Sequence, residues 1–426
     1  MAPSKPVPDF AELASRVPRG GHIVIHSDFA EPAALLRQLV ANADLFDGVN
    51  LHTLMPMAPP PYAEPDAARR LVINSFFPGA GLRRAVSGGL VHSRRCALSE
   101  IPGIFARQEI RPDLLLLQVS PPDDSGRVSL GISVDYMPAV LAQQPLVVAQ
   151  VNRHMPFTCG DSALPLDAID YVLEADEPLT ELSAGEPDAV DGAIAGHVAG
   201  LIGDGDVLQT GIGALPDAVI NKLDHLRHLG VHTGILTAGW QRLIENGVVD
   251  NSRKRQFTGV SVTTMAGGDG HFYGFLHRNP SVEFHPCSLT HNHAVLSGIE
   301  HLCAINSVLQ LDLSGRANAE AVNGRQISTP GGLPDFARGA MAAPGGKSII
   351  ALRASFKAGA VSNILPTLDA NGPVTLDAST ISHVVTEYGV AAIAGLDPES
   401  RARALIAIAH PDHRDPLLRH LSEHRQ

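Results

Sequence analysis

Two separate stretches of the sequence share one order of residue types, and this internal repeat constrains the fold more than any other feature. In the first copy, residues 21–24 precede residues 32–35; in the second copy, residues 205–208 precede residues 216–219 at the same spacing. Each copy has a short apolar run, a turn, and a helical pattern with proline in its first turn, where a missing N–H removes no intrahelical bond. The repeat predicts two related α/β domains.

Other short apolar runs rich in β-branched residues alternate with helical stretches. They lie at residues 114–119, 146–151, 348–352 and 383–386. This alternation predicts mainly parallel sheets. Residues 178–191 are rich in Pro, Glu, Asp, Ala and Gly and have the composition of a linker. We therefore predict an N-terminal domain at residues 1–185, a C-terminal domain at residues 186–426, and an amphipathic helix at residues 398–410.

The charge balance argues against a nucleic-acid partner. The chain of 426 residues has 32 Lys and Arg against 44 Asp and Glu, a formal charge of −12, and no Lys/Arg-rich run. A local basic pocket for a phosphate remains compatible, because net charge does not describe a single cleft. The cysteines lack Cys-x-x-Cys spacing, and no apolar run approaches the roughly 20 residues that span a bilayer. With Asp9 and Glu12 interrupting any signal-peptide pattern, we expect a cytoplasmic protein without a membrane segment.

Several long blocks between Arg19 and Leu418 resemble a known family. They are Asn-Ser-Phe-Phe (74–77), Ser-Pro-Pro-Asp-Asp-Ser-Gly (120–126), Ser-Leu-Gly-Ile-Ser-Val-Asp-Tyr (129–136), Met-Pro-Phe-Thr-Cys-Gly-Asp-Ser (155–162), Gly-Ile-Gly-Ala-Leu-Pro-Asp-Ala (211–218), Ala-Ile-Asn-Ser (304–307), Gly-Gly-Leu-Pro-Asp-Phe (331–336), Val-Val-Thr-Glu-Tyr-Gly (384–389) and Ile-Ala-His-Pro (408–411). On these blocks the chain resembles the acetyl-CoA hydrolase/CoA-transferase family, which includes 4-hydroxybutyrate and butyrate CoA-transferases. The resemblance implies a class I CoA-transferase-like fold, a homodimer, a coenzyme A thioester as substrate, and neither a covalently bound cofactor nor a metal.

One glycine-rich run lies between a strand and the start of a helix, where backbone N–H groups can face a phosphate or an oxyanion. Its residues are Gly211, Ile212, Gly213, Ala214 and Leu215. From the residues alone, a tight turn that needs glycine dihedral angles explains the run equally well. The resemblance implies that this run borders the CoA site. A dinucleotide-binding loop is disfavoured, because Pro216 stands where the third glycine would be.

A second glycine turn, Gly331 and Gly332, precedes another helix. The resemblance implies that its backbone amides contact CoA and hold the thioester oxygen as negative charge develops, a role that can lower a barrier by about 3 to 4 kcal/mol. The family usually has glutamine where this chain has Leu333. The resemblance also implies Asn306 and Glu387 as CoA-site residues, although a buried turn amide and a structural ion pair remain open for them.

Gly234 departs from the family at its central catalytic position. The family reads Leu-Gly-Ile-His-Thr-Glu followed by a Ser-Asp-Gly turn, whereas this chain reads Leu-Gly-Val-His-Thr-Gly and then Thr-Ala-Gly-Trp at 237–240. In the resembled enzymes the glutamate attacks an acyl-CoA, forms a mixed anhydride, and then holds CoA as a thioester. Glycine offers no nucleophile, so this cycle cannot run through residue 234.

Other residues near this position are candidates for replacing the glutamate. His232 is a candidate base, although a strand residue can also point into the core. Glu245 is a conceivable substitute carboxylate. Residues 284–293 contain His and Cys in a pattern that suits a transition metal, but the resembled family has a loop without metal there, so no metal is predicted. No Gly-x-Ser-x-Gly nucleophile motif is present in the sequence.

The sequence therefore leads to three functional hypotheses. The first is an enzyme that processes an acyl-CoA or pantetheine-type thioester without a covalent intermediate, by hydrolysis or by direct transfer to a second small-molecule nucleophile. The second is a carboxylate CoA-transferase that uses another glutamate. The third is an inactive CoA-binding or partner subunit.

Overall fold

The computed structural model describes residues 5–183, 185–357 and 359–423, and the chain divides into two units. The first unit comprises Met1–Ser183 and Val262–Thr290, and the second comprises Ala184–Ser261 and His291–Gln426. The chain passes from one unit to the other after Ser183, after Ser261 and after Thr290, and the predicted boundary at 185/186 lies near the first of these points. The predicted C-terminal domain, 186–426, thus includes a segment, Val262–Thr290, that packs with the first unit.

The first segment of the first unit is an alternation of strands and short helices. Strands β1 to β11 are Lys5–Pro6, His22–Ile25, Asn50–Thr53, Val72–Ser75, Val91–Ser93, Leu114–Val119, Arg127–Ser129, Leu146–Asn152, Cys159–Gly160, Ala163–Pro165 and Tyr171–Ala175. Helices α1 to α6 are Phe10–Ser15, Ala33–Ala41, Pro65–Ala68, Arg83–Ser87, Ile101–Ala106 and Met137–Leu141.

The next two segments contain fewer elements. Residues 185–261 contain helices α7 to α9 (Ala189–Ala199, Ala214–Ile220, Ala238–Glu245) and strands β12 to β14 (Val207–Thr210, Gly230–Val231, Ile235–Thr237). Strands β15 to β17 (Ser261–Thr263, Met265–Gly267, Val282–Phe284) and helices α10 and α11 (Gly270–Leu276, Cys287–Thr290) follow.

The last segment completes the second unit. Strands β18 to β28 are Leu302–Ser307, Gln310–Asp312, Ala317–Asn318, Ala321–Val322, Arg325–Gln326, Lys347–Ala351, Ser355–Phe356, Val361–Ser362, Ile364–Leu365, His383–Thr386 and Gly389–Ala392. Helices α12 to α15 are His293–Ser297, Leu333–Ala342, Pro398–Ala407 and Pro411–Glu423. Single 3-10 turns lie at Asp28–Ala30, Ala43–Phe46, Pro61–Ala63, Leu98–Glu100, Leu166–Ala168 and Ala378–Thr380.

The main sheet of the first unit is parallel throughout its described strands. Its order is β1-β11-β8-β6-β2-β3-β4-β5. The leucine-rich run of β6 is buried at every position, as expected for a strand that helices cover on both faces. The apolar runs at 114–119 and 146–151 therefore predict β6 and β8 because these two strands are largely buried.

The main sheet of the second unit has the order β13-β12-β18-β23-β27-β28 in the described residues. All neighbouring pairs are parallel except the edge pair β27 and β28. Asp188 caps the start of helix α7, and its side chain accepts hydrogen bonds from the N–H groups of Val190 and Asp191. The predicted fold class, α/β with mainly parallel sheets, is confirmed.

The two repeat strands occupy equivalent places in the two sheets. Strand β2 lies between β3 and β6, and strand β12 lies between β13 and β18. In each unit the chain first extends the sheet on one side of the repeat strand and later on the other side. The carboxyl end of the repeat strand therefore borders a topological switch point, where open α/β sheets bind ligands.

The remaining sequence predictions agree closely with the element bounds. The predicted strands at 114–119 and 383–386 are β6 and β27. The strand predicted at 146–151 is one residue shorter than β8, and the strand predicted at 348–352 is shifted by one residue from β23. The predicted helix at 398–410 ends earlier, at Ala407, and Pro411 begins α15. None of the helices in the described residues has the length and apolar character that crossing a membrane requires.

Candidate functional site

The first glycine-rich run connects β12 to α8 at the switch point of the second unit. Gly213 has a φ of 118°, a conformation that residues with a side chain rarely adopt, and it caps α8. A Cβ atom added at Gly211 or Gly213 would meet no atom within 4 Å, so open space adjoins both residues. The turn needs glycine at 213, and the run leaves its backbone accessible to a ligand.

Asn306 is held by a side chain of the neighbouring strand. Its Oδ1 accepts a bond of 3.2 Å from Nε2 of Gln209, and its Nδ2 donates a bond of 2.9 Å to Oε1 of Gln209. Both residues are buried. This reciprocal pair joins β12 to β18 just before the glycine-rich run, so the Asn306 side chain links two strands, whereas the sequence had left open a buried turn amide.

The second glycine turn stands at the start of α13. Gly331 has a φ of 57°, and Gly332 is the residue that caps the helix. A Cβ atom at Gly332 would lie 2.6 Å from Nε2 and 2.8 Å from Cδ2 of His291, distances that side-chain carbons do not tolerate. Glycine at 332 is thus required by the close approach of this imidazole.

The same imidazole adjoins Gly234. A Cβ atom at Gly234 would lie 2.8 Å from Nε2 of His291, 3.1 Å from its Cε1 and 3.5 Å from Cε2 of Phe336. The His291 ring therefore lies between two glycines, 234 and 332, that belong to different parts of the chain. The space into which a side chain at residue 234 would extend is filled by this ring.

His291 is buried, with 2% of its surface exposed, and its ring packs edge-on against Phe336 at a centroid distance of 4.8 Å. Burial lowers the pKa of His291 to about 3, because the charged form would lose its hydration. The imidazole is therefore neutral at physiological pH.

His232, the base candidate from the sequence, is fully buried. Its ring lies 6.4 Å from that of Phe336 and 6.2 Å from that of Phe257, measured between centroids. Its backbone N–H donates to the carbonyl oxygen of Leu208, which extends the pairing of β13 with β12. Phe336 thus lies between two buried imidazoles, of which His291 adjoins both site glycines.

Helix α9 follows Gly234 and the short strand β14, and one of its faces is buried. Trp240 on α9 is fully buried, and its Nε1 donates a bond of 3.3 Å to Oγ1 of Thr210, the last residue of β12. Glu245, the substitute carboxylate considered from the sequence, is exposed at the end of α9 and accepts a bond of 2.9 Å from Gln241.

Asp217 on α8 is a carboxyl group that the sequence did not single out, and burial raises its pKa.

Glu387 follows β27 and supports the loop after β23. Its Oε2 accepts a bond of 2.8 Å from the backbone N–H of Ala354. Strand β23 pairs in parallel with β18, and β27 pairs in parallel with β23, so these loops lie at the sheet edge that also carries Asn306. This bond to a backbone N–H is not the ion pair considered from the sequence, and a contact between Glu387 and CoA remains a prediction.

The His- and Cys-containing segment 284–293 is divided between the two units. His285 lies 2.7 Å from Oδ2 of Asp161 and 2.9 Å from Oε2 of Glu283 within the first unit, whereas His291 and the exposed His293 belong to the second. Within the described ranges, no three His, Cys, Asp or Glu side chains are arranged to hold a metal ion.

His291 is the site residue that the sequence analysis did not identify. The contact with Gly234 joins residues far apart in the chain, and neither strand nor helix periodicity reports such a contact. One signal was available: the resemblance implies a large side chain where this chain has Gly234, and such a difference indicates that another group can fill the space.

Two family models and a curated relative match this chain and agree on its family. Residues 4–182 match the acetyl-CoA hydrolase/transferase N-terminal domain, and residues 268–421 match the corresponding C-terminal domain. The 4-hydroxybutyrate coenzyme A transferase of Clostridium kluyveri is 37% identical over 407 residues, which are 96% of this chain and 95% of that protein.

Solved structures give the same result. RipA from Yersinia pestis superposes with a TM-score of 0.91 at 32% identity, covering 97% of this chain and 96% of the other. A 4-hydroxybutyrate CoA-transferase from Porphyromonas gingivalis superposes with a TM-score of 0.83 at 30% identity, covering 98% and 97%.

Proposed function

This chain belongs to the acetyl-CoA hydrolase/transferase family, and we propose that it processes a coenzyme A or pantetheine-type thioester by direct acyl chemistry, without an acyl or CoA intermediate on residue 234. The acyl group passes to water or to a second small-molecule nucleophile. Hydrolysis is the simplest form and releases free CoA and the acid.

One observation carries the proposal: residue 234 is glycine, and the His291 ring fills the space that its side chain would need. Covalent catalysis by a carboxylate requires a flexible acidic side chain that can reach the thioester carbon. A glutamate at 234 would collide with Nε2 of His291 at its first side-chain atom. The observed packing supports a site in which no carboxylate acts from this position.

The two glycine turns support thioester binding. The run after β12 has open space beside Gly211 and Gly213, and Gly332 stands at the start of α13, which extends over Leu333–Ala342. Backbone N–H groups at such helix starts stabilise negative charge, including the oxyanion that forms when a thioester carbonyl is attacked. Relatives named as 4-hydroxybutyrate and butyryl-CoA transferases make short-chain acyl-CoA the first substrates to test.

The test is mass spectrometry of the purified chain incubated with acetyl-, butyryl- and 4-hydroxybutyryl-CoA, each with and without acetate. Acyl-CoA, free CoA and protein adducts are followed together. We expect free CoA without acetate and without an adduct. A CoA adduct with acetate-dependent formation of acetyl-CoA would contradict the proposal.

Two glycine variants serve as a matched pair in this assay. Gly332→Ala should abolish turnover, because the new Cβ would collide with His291. Gly192→Ala should leave turnover unchanged, because Gly192 lies within α7 and a Cβ there meets no atom within 4 Å.

A carboxylate CoA-transferase that uses another residue is the second candidate. Asp217 favours this second candidate, because its half-buried carboxyl group has a raised pKa and lies on the helix after the glycine-rich run. Peptide mapping of a CoA adduct to Asp217 or Glu245 would establish this alternative. A homodimer and a cytoplasmic location remain predictions from the resemblance and the sequence.

A further inference from the structure

We propose that His291 takes over part of the role of the missing glutamate: its neutral imidazole donates a hydrogen bond from Nε2 to the thioester oxygen, alongside the backbone amides of the Gly331–Gly332 turn. The inference rests on the proposed function, because it concerns the same thioester. It assigns a catalytic contact to a residue for which neither the family motif nor the sequence pattern provided a role.

The geometry places Nε2 where such a contact can form. The atom lies 2.8 Å from the Cβ position of residue 234 and 2.6 Å from that of residue 332. The resemblance implies that residue 234 is the point from which the family's glutamate reaches the acyl carbon, and that the amides of the turn at residue 332 face the thioester oxygen. The Nε2 atom therefore lies beside the two backbone positions that the resemblance associates with the thioester.

Two glycines keep the ring in this place. A methyl group at either position would overlap the imidazole, so both positions must lack a side chain for His291 to occupy the space. Phe336 closes another side of the ring at a centroid distance of 4.8 Å. A ring fixed in this way is preorganised, which is the property that makes a hydrogen-bond donor effective at a developing charge.

The chemistry favours a donor over a base. With a pKa of about 3, the His291 imidazole binds a proton weakly and would remove one from water poorly. A neutral imidazole can instead polarise a carbonyl group through its N–H, and a low pKa favours this form over the imidazolium. Burial, which makes His291 a weak base, thereby keeps its imidazole neutral at neutral pH, with one ring N–H as a donor.

The test compares two His291 variants in the CoA-release assay with the full chain. His291→Leu keeps an apolar group of similar size but removes the donor, and we expect kcat to fall about 100- to 1,000-fold with a small change in KM, because the lost contact strengthens in the transition state. His291→Gln keeps an N–H near the position of Nε2 and should recover at least tenfold over the leucine variant. The matched control is His293→Gln, an exposed residue of the same segment, which should match the wild type.

The outcomes separate a chemical role from a packing role. Wild-type kcat in His291→Leu, or equal loss in the Leu and Gln variants with unchanged melting temperatures, would overturn the inference while leaving CoA release by the wild type intact. A wild type that releases no CoA would instead count against the proposed function.

A second measurement does not depend on variants that fold. In the 15N-histidine-labelled chain, a CoA ketone analogue with methylene in place of the thioester sulfur should shift the Nε2–H proton of His291 downfield. An unchanged His291 signal with the analogue bound would overturn the inference even if both variants unfold.

Discussion

Gln209 and Asn306 exchange two side-chain hydrogen bonds across neighbouring strands of the second unit, with lengths of 3.2 Å and 2.9 Å. Both amides are buried at the carboxyl ends of β12 and β18. Each amide thus satisfies the other where water is excluded, and the pair fixes the strand end from which the first glycine-rich run begins.

Asn306→Leu should destabilise the chain by about 2 kcal/mol, because Gln209 would keep a buried amide without its partner. The double variant Gln209→Leu/Asn306→Leu should recover most of this loss, because no unpaired polar group remains. Urea unfolding of the wild type, both single variants and the double variant measures the coupling. If the double variant loses as much stability as the two single variants together, the pair has no coupling energy.

Strands β6, β8, β23 and β27 could be read from the sequence because each is a short and largely buried apolar run. The prediction of β6 at 114–119 is correct at both ends. The insertion of Val262–Thr290 into the first unit could not be read in this way, because it depends on tertiary contacts and not on local composition.

Part of the candidate site could be predicted because glycines before helices are a local sequence pattern. The glycines at 213, 331 and 332 were identified from their positions before helices, and two of them, Gly213 and Gly331, have the positive φ that explains the residue type. The pairing of Asn306 with Gln209 and the position of His291 beside Gly234 join residues distant in sequence, and local patterns contain no information on such pairs.

Gly213→Ala should weaken CoA-thioester binding and cost about 1 to 3 kcal/mol of stability, because alanine is strained at a φ of 118°. Gly211→Ala is the matched control. It lies in the same run, has open space around a new Cβ and does not have a positive φ, so its stability should stay within about 0.5 kcal/mol of the wild type. Thermal unfolding and calorimetric titration with CoA check both variants. Equal losses of stability and of CoA affinity in the two variants would mean that the turn does not depend on the backbone conformation of residue 213.

Gly234→Glu alone should not produce CoA-transferase activity, because the first side-chain atom would lie 2.8 Å from Nε2 of His291. Gly234→Glu/His291→Gly removes the obstructing ring and should yield acetate-dependent acetyl-CoA with a CoA adduct on residue 234. His291→Gly alone is the control and should form no adduct. Transferase activity in the single Gly234→Glu variant would show that His291 does not close the space.

Glu31 should make the stability of the first unit fall as pH rises toward neutrality. Its Oε1 accepts bonds from the hydroxyls of Tyr62 at 2.6 Å and Thr53 at 3.2 Å, and burial raises its pKa to about 7 from the ordinary 4.5. Between these pH values the folded chain keeps a proton that the unfolded chain has released, so raising the pH from about 4.5 to about 7 weakens folding by about 3 kcal/mol. Glu31→Gln should remove this part of the pH dependence and raise the melting temperature at pH 8, whereas the exposed Glu174→Gln should not. A melting temperature for Glu31→Gln that differs from the wild type by the same amount at pH 5 and pH 8 would contradict a buried, proton-binding Glu31.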